Sequence, residues 1–217
     1  MVREFNPQGV VTSEDRTLPP LPSPAYENVK ILLASNSPRR RELLGLIVPK
    51  FEIAPSREIE EIFPPGLAAE DVPAYLSRLK ASAYKDTLTP DTLLITADTV
   101  VLFDGEILGK PKDHAEAVAM VSRLSGHTHT VVTGVTLSSL GGKKQDTFSE
   151  KTAVTFANLS DDEIEEYVIR FKPFDKAGAY GIQEWIGAAA IVGVDGCFYN
   201  VMGLPMHALY SHLKNFF

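Results

Sequence analysis

Residues 34–41 read Ala-Ser-Asn-Ser-Pro-Arg-Arg-Arg. Ser37 suits a helix N-cap and Pro38 the first helical position, so a helix opens here. The positive end of a helix attracts carboxylates, yet Arg39, Arg40 and Arg41 fill its first turn. Free backbone N–H groups, the hydroxyls of Ser35 and Ser37 and forked guanidinium groups together make a phosphate cradle. The plainer alternative is a helix start with surface arginines. Asp98 interrupts residues 93–103, a run that otherwise reads as a half-buried strand, although strands disfavour Asp. Either the strand breaks or bulges there, or a carboxylate stands at a strand terminus, where it activates water or holds a divalent cation.

Weaker signals accompany these two. Lys110 lies just before a helix start, and Pro111 biases it towards extended backbone, as in many exposed loop lysines. Glu58, Glu60 and Glu61 cluster beside Pro64 and Pro65, either as solvated loop surface or as carboxylates for a cation held against a polyphosphate. Residues 175–183, Asp-Lys-Ala-Gly-Ala-Tyr-Gly-Ile-Gln, are rich in small residues that let backbone approach a ligand, or else form a flexible loop. They lack the dinucleotide fingerprint G-x-G-x-x-G. His127 and His129 share one strand face, but with no third ligand in reach they read as surface or half-buried histidines. A P-loop and G-x-S-x-G are both absent, which argues against a phosphotransferase and an α/β-hydrolase.

Several elements must position these groups. Residues 29–34 are a short apolar strand feeding the Ser37 helix, residues 51–56 a second strand and residues 70–85 a second helix. Asp104-Gly105 marks a hairpin turn, and Asp113 with Glu116 caps a helix running to Leu124, stopped by Gly126. Two long strands meet around Gly141-Gly142. Ser160 and Glu163 cap another helix, which ends before Pro173, and a last helix begins near Pro205. Hairpins mixed with helices predict an α/β fold with a mixed sheet. Residues 1–28 include the Pro-rich run Thr-Leu-Pro-Pro-Leu-Pro-Ser-Pro and read as an extended arm, disordered or draped over a surface; residues 29–217 form the folded domain.

The chain has 217 residues, 21 Lys plus Arg against 28 Asp plus Glu, and a formal charge of −7. An acidic chain is poorly suited to long nucleic acid or anionic membrane, so any anion it binds is small and held by a local cluster. Its single cysteine, Cys197, rules out an internal disulfide and fits a reducing compartment. No apolar run nears the ~20 residues of a membrane span, and the first residues lack a signal-peptide core. The expected location is the cytoplasm.

Taken together, residues 33–40, 97–101, 109–111 and 175–183 resemble the Maf family of nucleoside triphosphate pyrophosphatases, historically described as septum formation inhibitors. The resemblance runs from about Val29 to the end, with the four blocks in the family's order. It implies an elongated, twisted, two-lobed body with a central cleft, a homodimer, and a divalent cation (Mg²⁺, Mn²⁺ or Co²⁺). It further implies cleavage between the α- and β-phosphates. Asp98 matches the general base; Ser35, Arg39, Arg40, Lys80 and Lys110 match phosphate-binding positions. Asp98 and a glutamate match metal ligands: Glu61 if this chain carries one extra residue after Phe51, Glu60 if not. Arg39, Thr99 and Gln183 resemble the subgroup acting on dTTP and UTP, and purines would be excluded by pocket size. A glutamine amide can donate to O4 of uracil or thymine while accepting from N3–H, but it separates them from cytosine only if its orientation is locked. The role would be removal of unwanted pyrimidine triphosphates. The competing class, a nucleotide-sensing regulator of division without turnover, has no need of a carboxylate such as Asp98 among phosphates.

Overall fold

The computed structural model describes residues 10–12, 26, 28–139 and 141–216. Among these residues, eight strands form one sheet in the order β1-β3-β2-β4-β6-β7-β8, with β5 on β4. Strand β2 (Lys30–Ala34) lies parallel to both β3 (Lys50–Ile53) and β4 (Thr92–Phe103). From β4 onward the pairing is antiparallel, through β6 (Thr128–Ser139), β7 (Lys144–Phe156) and β8 (Ile191–Asp195). The expected mixed sheet follows from this division: helix α1 (Pro38–Leu44) links the parallel strands β2 and β3, and a short turn links the long antiparallel strands β6 and β7. Asp104 and Gly105 both have positive φ, as a two-residue hairpin turn into β5 (Glu106–Leu108) requires.

Strands β4, β6 and β7 have 12 or 13 residues each, about 40 Å of extended chain, and serve two cores. At one end Ile31, Leu33, Leu44, Ile95 and Leu137 pack with Leu209 and Leu213 of α7 (Met206–Phe216). At the other, Val101, Val131 and Phe156 pack with α3 (His114–Leu124) and α4 (Asp161–Phe171) through Val121, Leu124, Ile164 and Val168. These two cores are the two lobes. The Ser160–Glu163 capping box is complete, whereas Asp113 caps α3 and Glu116 turns instead to the Lys112 N–H.

Three elements have no clear sequence signal: α5 (Trp185–Ala190) and β8, cut from a run of mostly small residues, and the short α6 (Phe198–Met202). The folded body also begins before Val29. Tyr26 is buried and donates to the Leu213 carbonyl, and β1 (Val10–Thr12) pairs antiparallel with β3. The Pro-rich run itself lies outside the described residues.

Candidate active site

Strand β4 runs through Asp98 without a break, so the expected terminus is not its own. It is β2 that ends: pairing with β4 stops at Ala34–Thr96, and β5 pairs with β4 only from Val101. Over residues 97–100 that edge of β4 is open, and it forms the floor of a cleft of ≈ 620 Å³ between the lobes, a size suited to a small-molecule ligand.

Asp98 stands opposite Gly134 in the β4–β6 register. A Cβ at Gly134 would meet the Pro73 carbonyl carbon and the Ala74 nitrogen at 2.3 Å, so glycine lets helix α2 (Val72–Ser82) lie on the sheet. Two turns on, Lys80 Nζ donates to Asp98 Oδ1 at 2.5 Å and pairs with Glu61 Oε1 at 3.1 Å. Asp98 is 8% exposed, and among the described residues its Oδ2 has no hydrogen-bond partner. Glu61 lines the cleft and Glu60 does not, which favours the register with the extra residue.

The adjacent arginines divide their work. Arg39 reaches across the cleft to Asp175 Oδ2 at 2.9 Å. Arg40 turns inward: Nη1 donates to the Ala97 carbonyl at 2.8 Å, Nε to the Gly203 carbonyl at 2.8 Å and Nη2 to Thr99 Oγ1 at 2.9 Å. It thus supplies the donor that a continuing β2 would have given Ala97. Burial lowers the Arg40 pKa, with the charge of Asp98 opposing that shift. Three of its donors are therefore committed to protein, where the resemblance expects a phosphate ligand. Arg41 donates to the Ser35 carbonyl, and Ser35 Oγ accepts from the Ser37 N–H at 3.2 Å.

The second lobe supplies the opposite wall. Lys110 is exposed on it, and the Gly109 carbonyl accepts from the Gly178 N–H at 3.0 Å, fixing one loop to the other. Lys176 is buried between Asp175 and Glu184, at 2.7 and 3.0 Å, so it holds the loop. Burial works to raise the Asp175 pKa, but hydrogen bonds and charge from Lys176 and Arg39 outweigh it and hold the carboxyl below its usual value. Gln183 lines the cleft, exposed. His129, expected near the surface, is in the core: strand alternation turns it inward beneath Tyr180, whose hydroxyl lies 2.7 Å from Nε2. Burial lowers its pKa from 6.5 to about 4. Of the pair, only His127 is exposed.

Six cationic side chains line the cleft, with Arg57 adding to Arg39, Arg40, Lys80, Lys110 and Lys176, against the three carboxylates of Glu61, Asp98 and Asp175. Arg57 had no sequence signal; it is anchored on Ala83 and Thr87 at the end of α2. A chain of net charge −7 thus keeps one locally positive cleft. Among the described residues, no three His, Cys, Asp or Glu side chains converge as a metal cage. The pair Glu61 and Asp98, drawn to one ammonium, nevertheless fits a hard cation that takes one or two carboxylates and completes its shell with phosphate oxygens and water.

Fold and site together define a mixed α/β protein with a cation-lined cleft between two lobes and a carboxylate on its floor. The sequence profile of Maf-like proteins matches residues 30–216, and the chain belongs to the Maf family. It is 56% identical over 189 residues to a dTTP/UTP pyrophosphatase of Porphyromonas gingivalis, covering 86% of this chain and 94% of that one. A dTTP/UTP pyrophosphatase of Phocaeicola vulgatus is 51% identical over 188 residues, covering 87% and 96%. That of Parabacteroides distasonis is 50% identical over 188 residues, covering 86% and 96%.

Proposed function

We propose that this chain hydrolyses dTTP and UTP to the monophosphate and pyrophosphate, removing pyrimidine triphosphates, modified ones included, from the nucleotide pool. The observation that carries this reading is Asp98: one carboxylate oxygen held by Lys80, the other turned without a partner to a cation-lined cleft, in a family whose similar members are named for this activity.

Asp98 takes a proton from water as the water oxygen bonds to the α-phosphorus; the bond from that phosphorus to the bridging oxygen breaks, and pyrophosphate departs. Lys80 fixes the carboxylate and adds positive charge beside the reacting phosphate. Arg39 and Lys110, one on each lobe, bind triphosphate oxygens, and Ser35 offers its hydroxyl from the β2–α1 turn. Arg39 must leave Asp175 to do so. Arg40 keeps the open edge of β4 in shape and adds charge behind the phosphates. Glu61 and Asp98 would hold a divalent cation such as Mg²⁺, Mn²⁺ or Co²⁺, which when bound neutralises developing phosphate charge. On family grounds we further propose a homodimer in the cytoplasm, which sedimentation and cell fractionation would check; no helix among the described residues is long and apolar enough to cross a membrane.

The test is product analysis with dTTP, UTP, CTP and ATP, each with and without Mg²⁺. Monophosphate and pyrophosphate from dTTP and UTP, dependent on the cation, are expected. Tight binding without turnover across the panel would overturn the enzyme reading in favour of a nucleotide-sensing regulator.

A further inference from the structure

Gln183 can separate uracil and thymine from cytosine only if its amide is locked, and nothing locks it. Its side chain is exposed, and among the described residues its amide has no hydrogen-bond partner. An amide free to turn by 180° offers its donor and acceptor in either order. Discrimination then needs a group whose polarity is fixed.

Thr99 is such a group. It lines the cleft, and it is the one residue of β4 from Thr92 to Val101 that is not buried. Its Oγ1 accepts from Arg40 Nη2 at 2.9 Å and lies 2.9 Å from Thr133 Oγ1. Either hydroxyl could donate in that second contact, but the next link decides it. Thr133, fully buried on β6, lies 3.1 Å from the Asn200 carbonyl oxygen, which can only accept. Were Thr133 to turn its single proton to Thr99, two oxygens would face each other at that distance with no hydrogen between them. The proton of Thr133 therefore goes to Asn200, and the proton of Thr99 goes to Thr133. The cleft receives only a lone pair from Thr99.

We propose that Thr133 is a positioning residue for base selection: by taking the Thr99 proton it makes Thr99 a pure acceptor towards the ligand. A pyrimidine ring with N3–H, as in uracil and thymine, donates to that lone pair. Cytosine brings an N3 lone pair to the same place and is refused. This inference rests on the proposed pyrimidine triphosphate activity.

The test is the ratio of kcat/KM for UTP to that for CTP in Thr133→Val and Thr133→Ser, with thermal unfolding as a check on folding. Valine keeps the shape and removes the acceptor, freeing the Thr99 proton to point into the cleft. The Asn200 carbonyl keeps the Gly203 N–H at 2.9 Å, so the change leaves it a partner. The ratio should fall about tenfold in Thr133→Val, the size of one hydrogen bond lost or gained, and stay near wild type in Thr133→Ser. Thr133→Ala repeats the measurement if valine prevents folding. An unchanged ratio in a folded valine or alanine variant overturns the proposal, as does an equal fall in the serine variant, which would point to packing instead. A wild-type protein that hydrolyses both nucleotides equally also overturns it. Failure of the wild type to hydrolyse UTP at all would overturn the underlying activity instead, so the two failures are distinguishable.

Discussion

Lys80 Nζ lies 2.5 Å from Asp98 Oδ1, delivered there by a helix that rests on the bare backbone of Gly134. Asp98 is thus oriented from one side and open on the other. Asp98→Asn keeps the shape, and Lys80 keeps Glu61 as a partner, so the fold should survive. Turnover should drop at least about 10²-fold, the lower bound for losing a positioned base. Single-turnover assays with UTP, alongside circular dichroism, would check this; undiminished turnover would remove Asp98 from the chemistry.

Glu61 and Glu60 are neighbours with different outlooks, since only Glu61 lines the cleft and meets Lys80. A chelator should abolish turnover and added Mg²⁺ restore it. Glu61→Gln should raise the Mg²⁺ concentration for half-maximal rate by about tenfold or more, while Glu60→Gln leaves it unchanged. The reverse result would assign the ligand to Glu60.

Arg39 and Arg40 adjoin in sequence and should part in experiment. Arg39 pairs with an exposed Asp175, and such pairs add about 0.5 kcal/mol to stability, so Arg39→Ala should raise KM and scarcely move the urea midpoint. Arg40→Ala strips donors from Ala97, Thr99 and Gly203 together, which should cost about 3 kcal/mol. Lysine at position 40 should not rescue it, because one ammonium cannot span three acceptors arranged around a guanidinium plane. Equal stability losses at both positions would contradict this division.

What the sequence made legible follows from how local each signal is. Ser37-Pro38, Asp104-Gly105 and the Ser160–Glu163 box act within a few residues of chain, and each is found where expected. Asp98 announced itself as an oddity in a strand, but the cause of its exposure to the cleft is the end of a different strand, β2, which no local pattern near Asp98 encodes. Likewise three successive arginines look equivalent as letters. Only the open edge of β4 turns Arg40 inward, while Arg39 meets Asp175 across 136 residues of sequence. Nor does sequence show that Lys176 is buried between Asp175 and Glu184, since Glu184 comes back to it only through the fold of the loop. The run of small residues that yields α5 and β8 has neither caps nor periodicity strong enough to divide it.

His129 should leave a pH signature in stability. Burial lowers its pKa from 6.5 to about 4, and Nδ1 lies buried without a partner among the described residues. Between those two pH values the unfolded chain takes up a proton that the folded chain refuses, so stability rises with pH across that window. The contribution is complete above about pH 6.5 and is lost as the pH falls towards 4, by about 3 kcal/mol in all. His129→Gln should be less stable at pH 7, because Tyr180 and the Phe156 ring lose a well-fitted neighbour. Its urea midpoint should nevertheless fall less than that of the wild type between pH 7 and pH 4.5. Parallel pH dependences in the two proteins would show that another group titrates in that range.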